Sequence, residues 1–149
     1  MKKIITTAAM LIITVLSFAQ SLPANAILGV WESDDSDPKL KFEFYKSGER
    51  YFGKLLYASN MYEEDGITPK KDFKNPDELL RDRSRLGITN ITDLTYSDGE
   101  YSGGKLYNPE EGRTYSVTAK LNNAMEMDLR GYVGFSILGK TMKFRKVDP

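Results

Sequence analysis

The chain of 149 residues has neither cysteine nor histidine. Without cysteine there can be no disulfide, no thiolate nucleophile and no thiolate metal site, nor the acylated N-terminal cysteine of a lipoprotein. Without histidine, neither a Ser-His-Asp triad nor a histidine-ligated zinc or iron site can be built. An excess of one charge is missing too, since 21 Lys+Arg balance 21 Asp+Glu. Such a balance leaves no electrostatic footprint for nucleic acid or an anionic membrane surface. Any acid–base chemistry would fall to Asp, Glu, Tyr or Lys. Nothing in the chain calls for a cofactor or a metal. Asp34, Asp35 and Asp37 lack the glycine and distal glutamate of an EF-hand loop, as does Glu63-Glu-Asp-Gly66, and both read as solvated turns.

Long apolar runs are scarce, with one exception at the start. Lys2 and Lys3 precede Ile4 to Phe18, a stretch diluted by Thr6, Thr7, Thr14 and Ser17. Ala24-Asn25-Ala26 then supplies a small-x-small cleavage pattern, so residues 1–26 read as a secretory signal peptide. Ser17-Phe18-Ala19 offers a competing cut after Ala19. The run is shorter than the ~20 residues that span a bilayer, and no later segment is apolar enough to do so. Removal of residues 1–26 leaves a single domain of 123 residues, 27–149, with 19 basic residues against 21 acidic ones. The expected location is the periplasm or the exterior of the cell.

From Gly29 onward, apolar and polar residues alternate in short runs bounded by turn signals, the pattern of antiparallel β structure. Phe42 and Phe44 share a face, as do Leu55 and Tyr57, Tyr115 and Val117, Met125 and Met127, and Met142 and Phe144. Ile88, Ile91 and Leu94 are further core candidates. Ser47-Gly48, Asp98-Gly99, Asn108-Pro-Glu-Glu-Gly112 and Asn122-Asn123 punctuate the runs. Roughly eight strands in meander order can close into an up-and-down barrel that leaves no exposed edge. At that size the interior is filled by side chains or holds one small ligand. The paired residues above are therefore core or ligand wall. Arg130 has the opposite parity to Met127 and Leu129, which puts it outside in an ion pair. A bulge at Gly131 would instead bring Arg130 and Tyr132 to the mouth, where a guanidinium suits a carboxylate.

One segment breaks the alternation. Ala58 to Arg85 is a long connection between the third and fourth strands, of a kind that is usually a lid or functional. Within it, Asn75 to Arg85 reads as a short helix, with Asn75 as N-cap and Pro76 at the first position. Asp77 would pair with Arg81, and Leu79, Leu80 and Leu86 would press on the barrel. Arg81 and Arg83 would anchor the lid.

Four stretches carry a resemblance. They are Gly29-Val-Trp31; Asp72-Phe-Lys-Asn-Pro-Asp77 with Leu80-Arg81, Arg83 and Leu86-Gly87; Gly103-Gly-Lys-Leu-Tyr-Asn-Pro-Glu-Glu-Gly-Arg-Thr-Tyr115; and Leu129-Arg-Gly-Tyr-Val-Gly134 with Leu138-Gly139 and Arg145. Together they resemble a family of secreted bacterial domains of unknown function whose known folds are lipocalin-like β-barrels. The chain departs from that pattern with Arg83-Ser84 in place of Arg-Pro, and with Phe144 where Trp commonly precedes the last Arg. The resemblance implies an all-β, lipocalin-like barrel and export, and no mechanism. It also implies that Trp31, in the first strand, and Arg145, in the last, form a cation–π latch at the closed end. The functional expectation is non-catalytic binding of a small apolar or amphipathic molecule. The alternative is a filled barrel that acts as an envelope or protein-interaction module, and an enzyme ranks third.

Overall fold

The computed structural model describes residues 21–34, 36–134 and 139–147. Residues 1–20, most of the stretch expected to be a signal peptide, together with Asp35 and Leu138, therefore lie outside the described residues. The strands are β1 (Gly29–Ser33), β2 (Leu40–Ser47), β3 (Arg50–Ala58), β4 (Thr89–Ser97), β5 (Glu100–Asn108), β6 (Arg113–Asn123), β7 (Glu126–Tyr132) and β8 (Lys140–Val147). Each pairs antiparallel with the next, and β8 returns to pair with β1, so all eight form a closed barrel. Closure leaves no unpaired edge to recruit another chain.

The connections sort by length onto the two ends. At one end, β2–β3, β4–β5 and β6–β7 are tight hairpins turning at Gly48-Glu49, Asp98-Gly99 and Ala124-Met125. Asp98 and Gly99 both have positive φ, 50° and 84°, as a primed hairpin turn requires. The long links, including residues 59–88, gather at the opposite end. Between β3 and β4 the structure has a single 3₁₀ turn, Glu78–Leu80.

Alternation sets most inward positions, and bulges interrupt it at several points, two of which bear on the site. Phe42 pairs with Leu55 and Lys41 with Tyr57, so Leu56 is an extra residue on β3. The parity flips there. Ala58 turns inward, and Tyr57, expected inside, faces solvent beside Tyr62. On β4, Gly53 pairs with Ile91 but Lys54 with Thr89, which leaves Asn90 as the extra residue.

The half nearest the hairpins is packed solid. Trp31, Tyr51, Tyr101, Ile27 and Met127 are all buried there. Phe42 sits between Phe44 and Phe144, with ring centroids 6.2 and 5.7 Å away, in tilted geometry that suits ring quadrupoles. A segment ahead of β1, Leu22–Ile27, ending in a 3₁₀ turn at Ala24–Ile27, seals this end. Its backbone accepts hydrogen bonds from Trp31 Nε1 (at Ile27, 2.7 Å), Tyr101 OH (at Ala24, 2.7 Å), Tyr96 OH (at Leu22, 2.5 Å) and Lys146 Nζ (at Ala26, 3.0 Å). Tyr51 OH donates to the Asn25 side chain at 2.9 Å. Burial pushes the Tyr101 hydroxyl up to about 12.

Trp31 is wholly buried here, and the cation over its ring is Lys146, 5.4 Å from the centroid. The expected partner, Arg145, is exposed and reaches Asp34 at 3.8 Å. The latch is displaced by one residue because Met142, Phe144 and Lys146 share the inner parity of β8, whereas Arg145 has the outer.

Candidate ligand-binding cavity

The other half of the barrel is hollow. A cavity of about 490 Å³ opens between the long links. That volume lies within the ~300–1,000 Å³ range of small-molecule sites. Its inner wall is apolar, built by Leu40, Phe42, Leu55, Leu106, Leu129 and Met142, with Ala58 and Met61 higher up. One inward strand position leaves its share of the space unfilled. Gly131 contributes no side chain, and a Cβ there would meet only Leu106 Cδ2, at 3.6 Å.

Of the residues expected inside, Phe42, Leu55, Tyr115 and Met142 line this cavity. Phe44, Val117, Met127 and Phe144 belong to the packed half. Met125 sits in the β6–β7 turn and is exposed, which removes it from the wall. Arg130 and Tyr132 do not reach the mouth. The β6–β7 register runs unbroken through Gly131, so Gly131 stays inward and its two neighbours face out. Arg130 donates to Thr141 Oγ1 at 2.7 Å on the outer surface.

The rim is polar and held by a buried network. Asp72, on the long connection, has no exposed surface. Its carboxylate accepts from Tyr107 OH (2.6 Å), Asn75 Nδ2 (2.8 Å) and Arg83 Nε (3.0 Å), and lies 2.9 Å from a second Arg83 nitrogen. Arg83 also lies over the Tyr107 ring, 5.8 Å from its centroid. A buried carboxylate needs such a full set of donors to offset the water it loses. Burial, then the Asp72 hydrogen bond, pushes the Tyr107 hydroxyl up to about 12. Alongside, Arg85 donates to Lys71 O (3.1 Å) and to Glu110 Oε2 (2.5 Å), and Lys74 Nζ donates to Glu110 O (2.7 Å). The connection is thus riveted to β5 and to the β5–β6 turn. Gly112 permits that docking: it has φ +68°, and a Cβ would lie 2.1 Å from Lys74 O.

The stretch read as a capped helix folds differently. Asn75 does not cap it. Asn75 Oδ1 accepts from Asp77 N, and Asp77 itself caps the 3₁₀ turn by accepting from Leu79 N. Arg81 stays local, bonding Asn75 O (2.9 Å) and Glu78 (3.1 Å) rather than the barrel, and Glu78 replaces the expected partner Asp77. Leu79 is 92% exposed, and Leu80 and Leu86 are also exposed, so no apolar face presses down. The connection closes over the cavity through other residues, Asn60, Met61 and Arg85. The acidic run before it is a local turn, in which Asp65 accepts from Ile67 N and twice from Thr68. The Thr68 hydroxyl first, then those amides, hold the Asp65 carboxyl below its usual range.

An eight-stranded up-and-down barrel, sealed at one end by a segment ahead of its first strand and hollow at the other, is a lipocalin-like architecture. Residues 29–146 match a family described as "Uncharacterized protein conserved in bacteria" (DUF2147), and the chain belongs to that family. Among solved structures it is similar to protein HP1028 from the human pathogen Helicobacter pylori, described as belonging to the lipocalin family. The two are 25% identical, with a TM-score of 0.71 over 82% of this chain and 83% of that one. No curated protein matches the chain.

Proposed function

We propose that the protein is an exported, non-catalytic carrier of a small amphipathic molecule. The observation that carries this reading is the hollow half-barrel itself: about 490 Å³ with an apolar floor and a polar, riveted rim. Apolar wall area supplies the affinity, and a few polar groups fix orientation. The lipocalin-like fold supports the reading, since eight-stranded barrels of this kind can hold one small ligand. A filled barrel that acts only through its outer face is disfavoured, because the packing stops halfway.

Export rests on Lys2, Lys3 and the apolar run that follows them. Residues 22–27 accept hydrogen bonds from five side chains of the barrel. A cut after Ala26 would discard that seal, so the cut after Ala19 is the one compatible with a closed barrel. Native mass spectrometry of protein purified from its source tests both points. A mature mass starting at Gln20, with a co-purified small molecule, is expected. A mass starting at Ile27, or an empty barrel that no apolar probe enters, would contradict the proposal.

A further inference from the structure

Among the described residues of the cavity wall, Asn90 keeps a buried polar atom whose chemistry is left incomplete. It is the extra residue of the β4 bulge, between the pairs Gly53–Ile91 and Lys54–Thr89. Simple alternation from Ile91 would turn its side chain outward. The bulge re-aims it into the wall, where only 5% of it is exposed. Its Nδ2 donates to Tyr107 O at 3.1 Å. That bond fixes the amide orientation, because turning it over would set two acceptors against each other. Oδ1 is then left without a protein donor. Buried acceptors are normally satisfied, so an orphan on a cavity wall marks where a ligand donor belongs.

The charged groups around the cavity point the same way. Arg85 is held by Glu110 and Lys71 O, and Glu111 accepts from Tyr115 OH. Asp37, Glu110 and Glu111 outnumber Arg85 and Lys140 among the lining residues. A carboxylate head group would meet this acidic surplus and the bare Asn90 acceptor.

We propose that Asn90 Oδ1 receives a hydrogen bond from an uncharged donor on the ligand, an alcohol or amide N–H attached to an apolar body. The inference rests on the carrier reading and narrows it by excluding simple fatty acids. The test is a competition series against the uncharged fluorescent probe N-phenyl-1-naphthylamine, using 1-decanol, its isomer methyl nonyl ether, and decanoate. The ether keeps the size and the oxygen of the alcohol but has no donor. Decanol is expected to compete roughly fivefold to tenfold better than the ether, the worth of about one net hydrogen bond. Decanoate is expected to be weaker than decanol. In Asn90→Leu, decanol should fall to the level of the ether while the ether is unchanged. Equal competition by decanol and the ether in the wild type would overturn the donor inference and leave the carrier reading standing. If neither the probe nor any competitor bound, both would fail. The wild-type comparison needs no variant, so a poorly folded Asn90→Leu does not shield the proposal.

Discussion

The two ends of the barrel are built from the same eight strands and opposite materials. One end has two-residue hairpins, aromatics in tilted and edge-on contact, and a segment whose carbonyls satisfy tyrosine, tryptophan and lysine donors. The other has long links, a largely aliphatic wall around open space, and ion pairs that brace the long connection and tie it to the β5–β6 turn. The difference separates two jobs within one sheet. Dense packing and short-range turns supply stability where nothing needs to enter. Hollow space is tolerated at the far end because a fully satisfied polar network, rather than a core, holds its rim. Tyr101 and Tyr107, two strand-β5 residues, show the contrast: the first seals the plug through Ala24 O, and the second supports the rim through Asp72.

The largest expected break is at the sealed end. Deleting Leu22–Ile27 removes buried Ile27 and the acceptors of Trp31, Tyr101 and Lys146, at a cost of roughly 4 kcal/mol or more. Urea unfolding should lose most of its native baseline. A midpoint close to that of the intact chain would mean that the segment is decoration. Next comes the rim. Asp72→Ala strands the Tyr107 hydroxyl, Asn75 and Arg83 together, and should cost about 3 kcal/mol by the same assay. It should also raise protease cutting within residues 59–88 while leaving the sealed end intact.

Strand order, the β2–β3 and β4–β5 hairpins and the one long connection are legible because turn chemistry and period-2 alternation are local, whereas the β6–β7 turn falls at Ala124-Met125 and not at Asn122-Asn123. What alternation misplaced lies next to bulges or depends on parity over distance. Leu56 is one extra residue, and it alone moved Tyr57 outside. Asn90 is hidden from simple alternation for the same reason, although the spacing of three between Ile88, Ile91 and Leu94 marks an irregular strand. Lys146 was legible from Met142 and Phe144, which set its parity, yet the family-style pairing pointed to Arg145. The rim network was not legible. Asp72, Arg85 and Glu110 meet only through the folded connection, and their charges read equally well as solvated surface. The short charged stretch reads as a capped helix because Asn75 is a good N-cap in isolation; in the fold its Oδ1 closes only a local turn onto Asp77 N while its Nδ2 donates to buried Asp72, and Asp77 caps the 3₁₀ turn instead.

Smaller effects sharpen the comparison. Lys146→Ala should cost about 1 kcal/mol through the lost contact with Trp31 and Ala26 O, and Arg145→Ala less than half of that. Equal costs would return the latch to Arg145. At high pH both ends should weaken. Tyr101 and Tyr107 titrate near 12 when folded against about 10 when unfolded, so the unfolded chain releases their protons first. The stability they support is complete below pH 10 and is lost as pH rises from 10 toward 12. Denaturation midpoints should fall across that window, and less steeply in Tyr107→Phe. An absorbance titration of tyrosinate should show Tyr101 and Tyr107 among the late hydroxyls of the folded protein, with one late hydroxyl fewer in Tyr107→Phe.

The central claim is that the hollow half is the binding site. Gly131 faces it, lacks a positive φ, and has room for a Cβ, so Gly131→Phe would fill the space without strain in the strand. The measurement is a titration of the uncharged probe N-phenyl-1-naphthylamine into wild type and Gly131→Phe, with the unfolding midpoint of each. A single site in the wild type, weakened at least about tenfold in the variant with stability unchanged or raised, is the predicted result. Equal probe affinity in the two proteins would contradict the account, because binding would then lie outside the barrel.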